Sequence, residues 1–185
     1  MFLTIKNIPI KSWSSKKPLN LKPKFPTFIL LCIGLSFFGL GEGLLLVSTT
    51  GNSPWSVLAE GFSKKVDISI GLSTLVISVF VLLLWFPLRQ KPGMGTILNI
   101  LIIAAVIDIT LFVVSPPVSI FSKYLLAIIS VLLVGLGSGI YLIANLGPGP
   151  RDGLMTGLTK KTHFPIASIR ATIEISAVIF GWYLG

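Results

Sequence analysis

The chain holds only six carboxylates, and four of them, Glu42, Asp108, Asp152 and Glu174, lie in or beside long apolar runs. A charge held at the centre of a bilayer costs roughly 2.5–3.5 kcal/mol or more, so such groups face protein or water and pair, bind or carry protons. Two cations accompany them. Arg151 immediately precedes Asp152, and Arg170 lies four residues before Glu174, one turn away on the same helix face. For Arg170 and Glu174 two readings stand: an ion pair that locks helix packing, or a pair that contacts a solute or proton. Asp152 falls in the first turn of a helix opened by Pro150, where the helix dipole favours a carboxylate. Arg151 and Asp152 therefore read either as a capping pair or as part of a site. Asp108 is a buried polar contact or a proton or cation site. Glu42, near the outer end of its run, is expected to snorkel to water. The candidate binding set is Gly149, Pro150, Arg151, Asp152, Asp108, Arg170 and Glu174, with no catalytic residue among them.

Other chemistry finds no support. His163 is the single histidine and Cys32 the single cysteine, so no metal set can form from those types. There is no Walker A sequence, and no serine sits in a nucleophile motif. Gly39-Leu40-Gly41-Glu42-Gly43 lies inside an apolar run and does not follow a strand, so it is no dinucleotide fingerprint. The expectation is a protein without enzymatic activity, cofactor or metal.

The elements that must position these residues are membrane helices. Of 185 residues, 53% are hydrophobic and 11% charged, against about 25% charged in an average soluble domain. The mean hydropathy is +0.93. A bilayer accommodates that composition because lipid solvates the outward face of each helix. Five runs approach the ~20 apolar residues that a span needs: 28–48, 70–88, 97–114, 124–146 and 166–184. Residues 1–25 are lysine-rich and carry Pro18 and Pro23, which predicts a disordered cytoplasmic tail. The transmembrane domain then covers 26–185. The net charge of +9 is concentrated in that tail, which suits anionic headgroups and topology rather than nucleic acid. Trp55, Trp85, Trp182 and Tyr183 fall near span ends or connections, as interfacial anchors do.

The chain also repeats itself. Gly39–Lys65 aligns without a gap on Gly135–Lys161 at an offset of 96, with eleven identities in twenty-seven positions. An offset containing three spans places the second copy upside down, an arrangement used by many secondary transporters. Repeat one covers about 28–115 and repeat two about 124–185, without a counterpart of the third span. The segments from Pro54 to Lys65 and from Pro150 to Lys161 are too short to span and read as short interfacial or re-entrant helices, each opened by a proline. The fold expected is an all-α polytopic membrane bundle with five spans: an inverted-topology repeat of three-span units lacking the sixth.

The string Gly147-Pro148-Gly149-Pro150-Arg151-Asp152-Gly153-Leu154-Met155 resembles the signature of the YczE-type bacterial membrane proteins, grouped with YitT-like proteins. Pro54-Trp55, the stretch Trp85–Thr96, Arg170, Glu174 and Gly181-Trp182 fit the same family. The resemblance covers about residues 28–185 and implies a bacterial inner-membrane location and a further glycine-rich span. It implies no established substrate. Many relatives carry an acidic residue after the Pro-Trp pair, where this chain has Ser56. The function expected is that of a small permease or secondary transporter for a small polar or anionic solute. The alternative is a non-transporting factor that supports assembly or regulation of a partner complex. A wet cavity lined by the candidate residues favours the first, and a dry bundle with its charges mutually satisfied favours the second.

Lysine and arginine placement orients the chain. With the N-terminus inside, eleven cations face the cytoplasm and three, Lys64, Lys65 and Lys123, face outside. A cysteine introduced as Lys123→Cys, with Cys32 replaced by serine, is expected to react with an impermeant maleimide added outside intact cells. Reaction only after the cytoplasmic face is opened would reject this orientation.

Overall fold

The computed structural model describes residues 11–185. Seven helices follow in order: α1 (Phe25–Ser48), α2 (Pro54–Val66), α3 (Ile70–Leu83), α4 (Met94–Val113), α5 (Ile120–Ala144), α6 (Pro150–Thr162) and α7 (Ile166–Leu184). The described residues contain no strand. α1, α4, α5 and α7 are each long and apolar enough to cross a membrane.

The span expected over 70–88 is different. Its helix stops at Leu83 after 14 residues, about 21 Å at 1.5 Å per residue, against a hydrocarbon core of ~30 Å. Beyond it the chain turns through Trp85–Arg89, where Pro87 has no N–H to give a continuing helix. α2 and α3 meet at 110° across a short break and together form one broken span. Five crossings result only when that bent pair is counted as one.

Both short helices begin where proline places them. Pro54 and Pro150 each occupy the first turn of their helix, where a missing N–H costs nothing. The break before each is made by a left-handed residue and a positive-φ glycine: Thr49 (φ 55°) and Gly51 (φ 151°), then Asn145 (φ 52°) and Gly147 (φ 111°). Asp67 and His163 end the two short helices at φ 60°. Each pair is separated by 96 residues, so the backbone repeats at the offset of the sequence.

The packing repeats as well. α1 crosses α5 at glycines: a Cβ on Gly41 would meet the Ser130 carbonyl at 2.7 Å, and one on Gly137 would meet the Gly34 carbonyl at 2.5 Å. Exchanging every residue for its counterpart turns the first contact into the second. α2 lies on α7 as α6 lies on α3. In the first pair Gly181 rests on Val57, and in the second Gly153 lies under Trp85. Position by position, Val57 over glycine in one half becomes glycine under tryptophan in the other. α4 packs on α1 and α3, where Ile103 and Ile107 join Leu31 and Leu35 in the main core.

Residues 11–24 correct the expectation of a disordered tail reaching residue 25. They fold across the end of α5: the Ser15 N–H donates to the Ala144 carbonyl at 3.0 Å, and the Asn145 amide donates to the Ser15 carbonyl at 2.9 Å. The Thr27 hydroxyl donates to the Trp13 carbonyl. A helix C-terminus needs donors for its last carbonyls, and this segment supplies one. The earlier part of the tail, residues 1–10, lies outside the described residues.

A Cβ on Gly153 would come within 1.9 Å of the Trp85 ring. Gly153→Ala is therefore expected to cost roughly 1–3 kcal/mol, the range for overpacking. Combined with Trp85→Leu, the two changes should cost less than the sum of the single changes. Thermal unfolding of the purified protein in detergent measures both, and simple additivity would show that the ring and the glycine are not coupled.

Candidate functional site

A cavity of about 500 Å³ lies between the two halves, where the N-termini of α2 and α6 approach each other. Gly149, Pro150, Arg151 and Asp152 line it, together with Arg170 and Glu174 from α7. Six of the seven candidate residues are thus brought together. The seventh is not. Asp108 accepts from the Ser69 hydroxyl at 2.6 Å and from the Gly71 N–H at 2.7 Å. Its carboxylate caps the N-terminus of α3, where orphan N–H groups and the dipole favour an anion. That capping geometry takes Asp108 out of the cavity.

Arg151 is half-buried, and its guanidinium lies over the Trp55 ring with 4.8 Å to the ring centroid. Trp55 and Arg151 are themselves counterparts at the offset of 96, so the two short helices meet residue on matching residue. Trp55 therefore works inside the bundle as a cation–π partner, not as the interfacial anchor expected. Trp85 departs from that expectation too. It is 2% exposed, and its indole N–H donates to the Pro150 carbonyl at 2.9 Å.

Each short helix is tied to the long helix before it by a carboxylate and a hydroxyl, with the roles exchanged. In the first half Glu42 on α1 accepts from Ser53 at 2.9 Å and from Ser56 at 2.5 Å at the start of α2. In the second half Asp152 on α6 accepts from the hydroxyl of Tyr141 on α5. Ser56 is the counterpart of Asp152, so the serine found where relatives carry an acid has its carboxylate supplied by Glu42. Glu42 is 5% exposed, which overturns the expectation that it snorkels to water. Two serine hydroxyls give it better solvation inside than the apolar end of α1 offers outside.

The charges act on one another through a low-dielectric interior. Glu42 and Asp152 both exert their negative charge on Arg151. Yet among the described residues no carboxylate lies within ion-pairing distance of its guanidinium; the pairs formed are Lys64–Glu60 and Arg170–Glu174. Arg170 Nε donates to Glu174 at 2.8 Å. The Arg170 side chain is 68% exposed, so this pair sits at the rim of the cavity. Asn99 of α4 lines the opposite wall with Tyr141. Sequence reasoning missed Asn99, a lone amide in the run 97–114, and Tyr141, eleven residues before Asp152. A polar residue inside a spanning run was the available signal for both. Among the described residues no group of three or more His, Cys, Asp or Glu is placed to hold a metal ion.

Glu42→Ala would leave the Ser53 and Ser56 hydroxyls without their acceptor, at an expected cost of about 1–3 kcal/mol. Glu42→Gln keeps an acceptor oxygen and should cost clearly less. Equal losses for the two variants in thermal unfolding would mean that the charge of Glu42, not its hydrogen bonding, is what counts.

Comparison with known proteins agrees with this architecture. The chain is 39% identical over 181 residues to an uncharacterised protein of Haemophilus influenzae, covering 98% of this chain and 82% of that one. It is 33% identical over 161 residues to the uncharacterised protein YyaS of Bacillus subtilis, covering 83% and 80% of the two chains. It is 28% identical over 163 residues to the uncharacterised membrane protein YczE of Bacillus subtilis, covering 87% and 73%. No solved structure matches the fold. Residues 25–185 match the model of DUF6198, described as a family of unknown function. This chain is therefore a polytopic helical membrane protein of the DUF6198 family, akin to the YczE-type proteins.

Proposed function

We propose that the protein is a small permease of the bacterial inner membrane for a small polar solute bearing a carboxylate or similar anionic group. One observation carries the reading. The Arg151 guanidinium lines the cavity and has no hydrogen-bond or ion-pair partner among the described residues. A guanidinium offers five donors in a planar fork that matches a carboxylate in two-point contact. Here that fork is held over Trp55 and beside the N-terminal turn of α6, whose N–H groups favour negative charge.

The repeat supports a route through the membrane. In this reading the second half is inverted relative to the first, the N-terminus is cytoplasmic, and α2 and α6 are re-entrant helices approaching from opposite faces. Their meeting point is then near the midplane, where inverted-repeat transporters hold substrate at the ends of broken helices. The Arg170–Glu174 pair at the rim would be met by a solute on its way in or out. The protein's own chemistry is recognition and passage, with no covalent step.

The test is a thermal-shift screen of purified protein against small carboxylates, amino acids and phosphate esters, followed by uptake into proteoliposomes. A ligand at 100-fold its Kd should add ~2.7 kcal/mol of stability. Arg151→Gln should abolish both the shift and the uptake while the protein still folds. If no solute stabilises the protein, or if Arg151→Gln responds as the parent does, the permease reading fails and the assembly-factor alternative takes its place.

A further inference from the structure

The two halves match helix for helix except at α4, and the surface that α4 covers in the first half lies open in the second. On α1, Leu35 is fully buried, and its counterpart Val131 on α5 is 61% exposed. A Cβ on Gly39 would meet Val106 and Ile103 of α4 at 3.0–3.2 Å, and one on Gly43 would meet Thr110 at 2.7 Å. Their counterparts Gly135 and Gly139 have nothing within 4 Å. A shallow apolar groove runs beside them on α5, lined by Tyr124, Ala127, Ile128, Val131 and Leu132.

Two polar features repeat the same difference. The N-terminus of α3 is capped from α4 by Asp108, whereas the N-terminus of α7 has Pro165 at the cap and no side-chain acceptor. The turn at Gly147 is pinned by the start of α4, with Gly95 N–H on the Leu146 carbonyl at 2.8 Å and the Thr96 hydroxyl on the Pro148 carbonyl at 2.7 Å. A Cβ on its counterpart Gly51 would meet nothing within 4 Å.

We propose that this open face is the seat of one more transmembrane helix with the contact chemistry of α4, carried on the same polypeptide type after α7. The occupant is specified by what the first half already holds there. It presents a β-branched stripe to Gly135 and Gly139, an acceptor such as Asp to the first turn of α7, and donors from its own first turn to the Gly51 turn. The connection is available in kind, since α4 follows α3 through residues 84–93. Chain length allows it in the relatives, whose matched stretches cover 82%, 73% and 80% of their own chains. Docking there covers the Arg170 side of the cavity as α4 covers Thr74 and Ser78, the buried counterparts of Arg170 and Glu174. The proposal stands on packing and does not depend on the solute reading.

The probe is a graft: the full chain extended after Gly185 by a second copy of its own residues 84–116, with Cys32 replaced by serine. Gly139→Cys is paired with Thr110→Cys in the grafted copy, the positions that touch as Gly43 and Thr110 do in the first half. On mild oxidation in native membranes the expected product is a disulfide within one chain, with maleimide labelling of both cysteines falling to background. Gly135→Leu, which fills the groove, should prevent that disulfide in the extended chain. It should leave the thermal stability of the unextended chain unchanged, showing that the block is local. Free cysteines in the folded extended chain would overturn the proposal. A Gly139→Cys disulfide between two chains would also overturn it, because a second copy would then be the occupant. A disulfide that persists with Gly135→Leu would place the grafted helix elsewhere and reject the groove.

Discussion

A backbone carbonyl in hydrocarbon has no water to accept from, so a broken helix survives in a membrane only if protein groups replace that water. The break between α5 and α6 meets this demand at successive carbonyls. Ala144 accepts from the Ser15 N–H, Leu146 from the Gly95 N–H, Pro148 from the Thr96 hydroxyl and Pro150 from the Trp85 indole. The donors come from the N-terminal segment, the start of α4 and the turn after α3. Three distant parts of the chain thus converge on one turn. The turn in turn fixes where α6 begins and hence where Arg151 points.

Close backbone approach is the second device. Lipid-facing side chains gain little from one another when helices associate, so packing has to come from fit. The α1–α5 crossing supplies it with Gly41 and Gly137, each against the other helix's backbone. The α3–α6 crossing does it with one large and one small partner, Trp85 on Gly153. The symmetric position uses Gly181 on Val57, so total volume is kept while the large residue changes sides. That asymmetry lets one half present Trp85 to the Pro150 carbonyl, and it makes the halves chemically unequal although their backbones correspond.

The unequal halves then divide the electrostatics. In the first, Glu42 is fully engaged by serine hydroxyls, and Thr74 and Ser78 lie buried and neutral. In the second, the same two helix positions hold Arg170 and Glu174, and the short helix begins with Arg151 and Asp152. Desolvated charges need partners. Asp152 has Tyr141 and Arg170 has Glu174. Arg151 has an aromatic face and the surrounding negative charge, with its donors directed to open space in the cavity. Ligand recognition is the use such an arrangement fits, and it is why the charged half carries the candidate site.

Sequence alone determined the elements that rest on local rules. Hydrophobic length placed α1, α4, α5 and α7, proline placed the starts of α2 and α6, and the 96-residue offset foretold which turns and caps would match. It also selected Arg151, Asp152, Arg170 and Glu174, because an ionisable residue in an apolar run is costly wherever it ends up. Tertiary structure decided everything that depends on which surfaces meet. Asp108 and Glu42 have the same kind of sequence context, yet one caps α3 outside the cavity and the other is buried against two serines. Trp55 and Trp85 look like interfacial anchors by position, and both turn inward because a guanidinium and a carbonyl await them. Residues 11–24 read as a soluble tail, and they fold because the end of α5 needs a donor. Periodicity and composition report how a segment meets its solvent. Only the packed bundle reports which protein group takes the place of water.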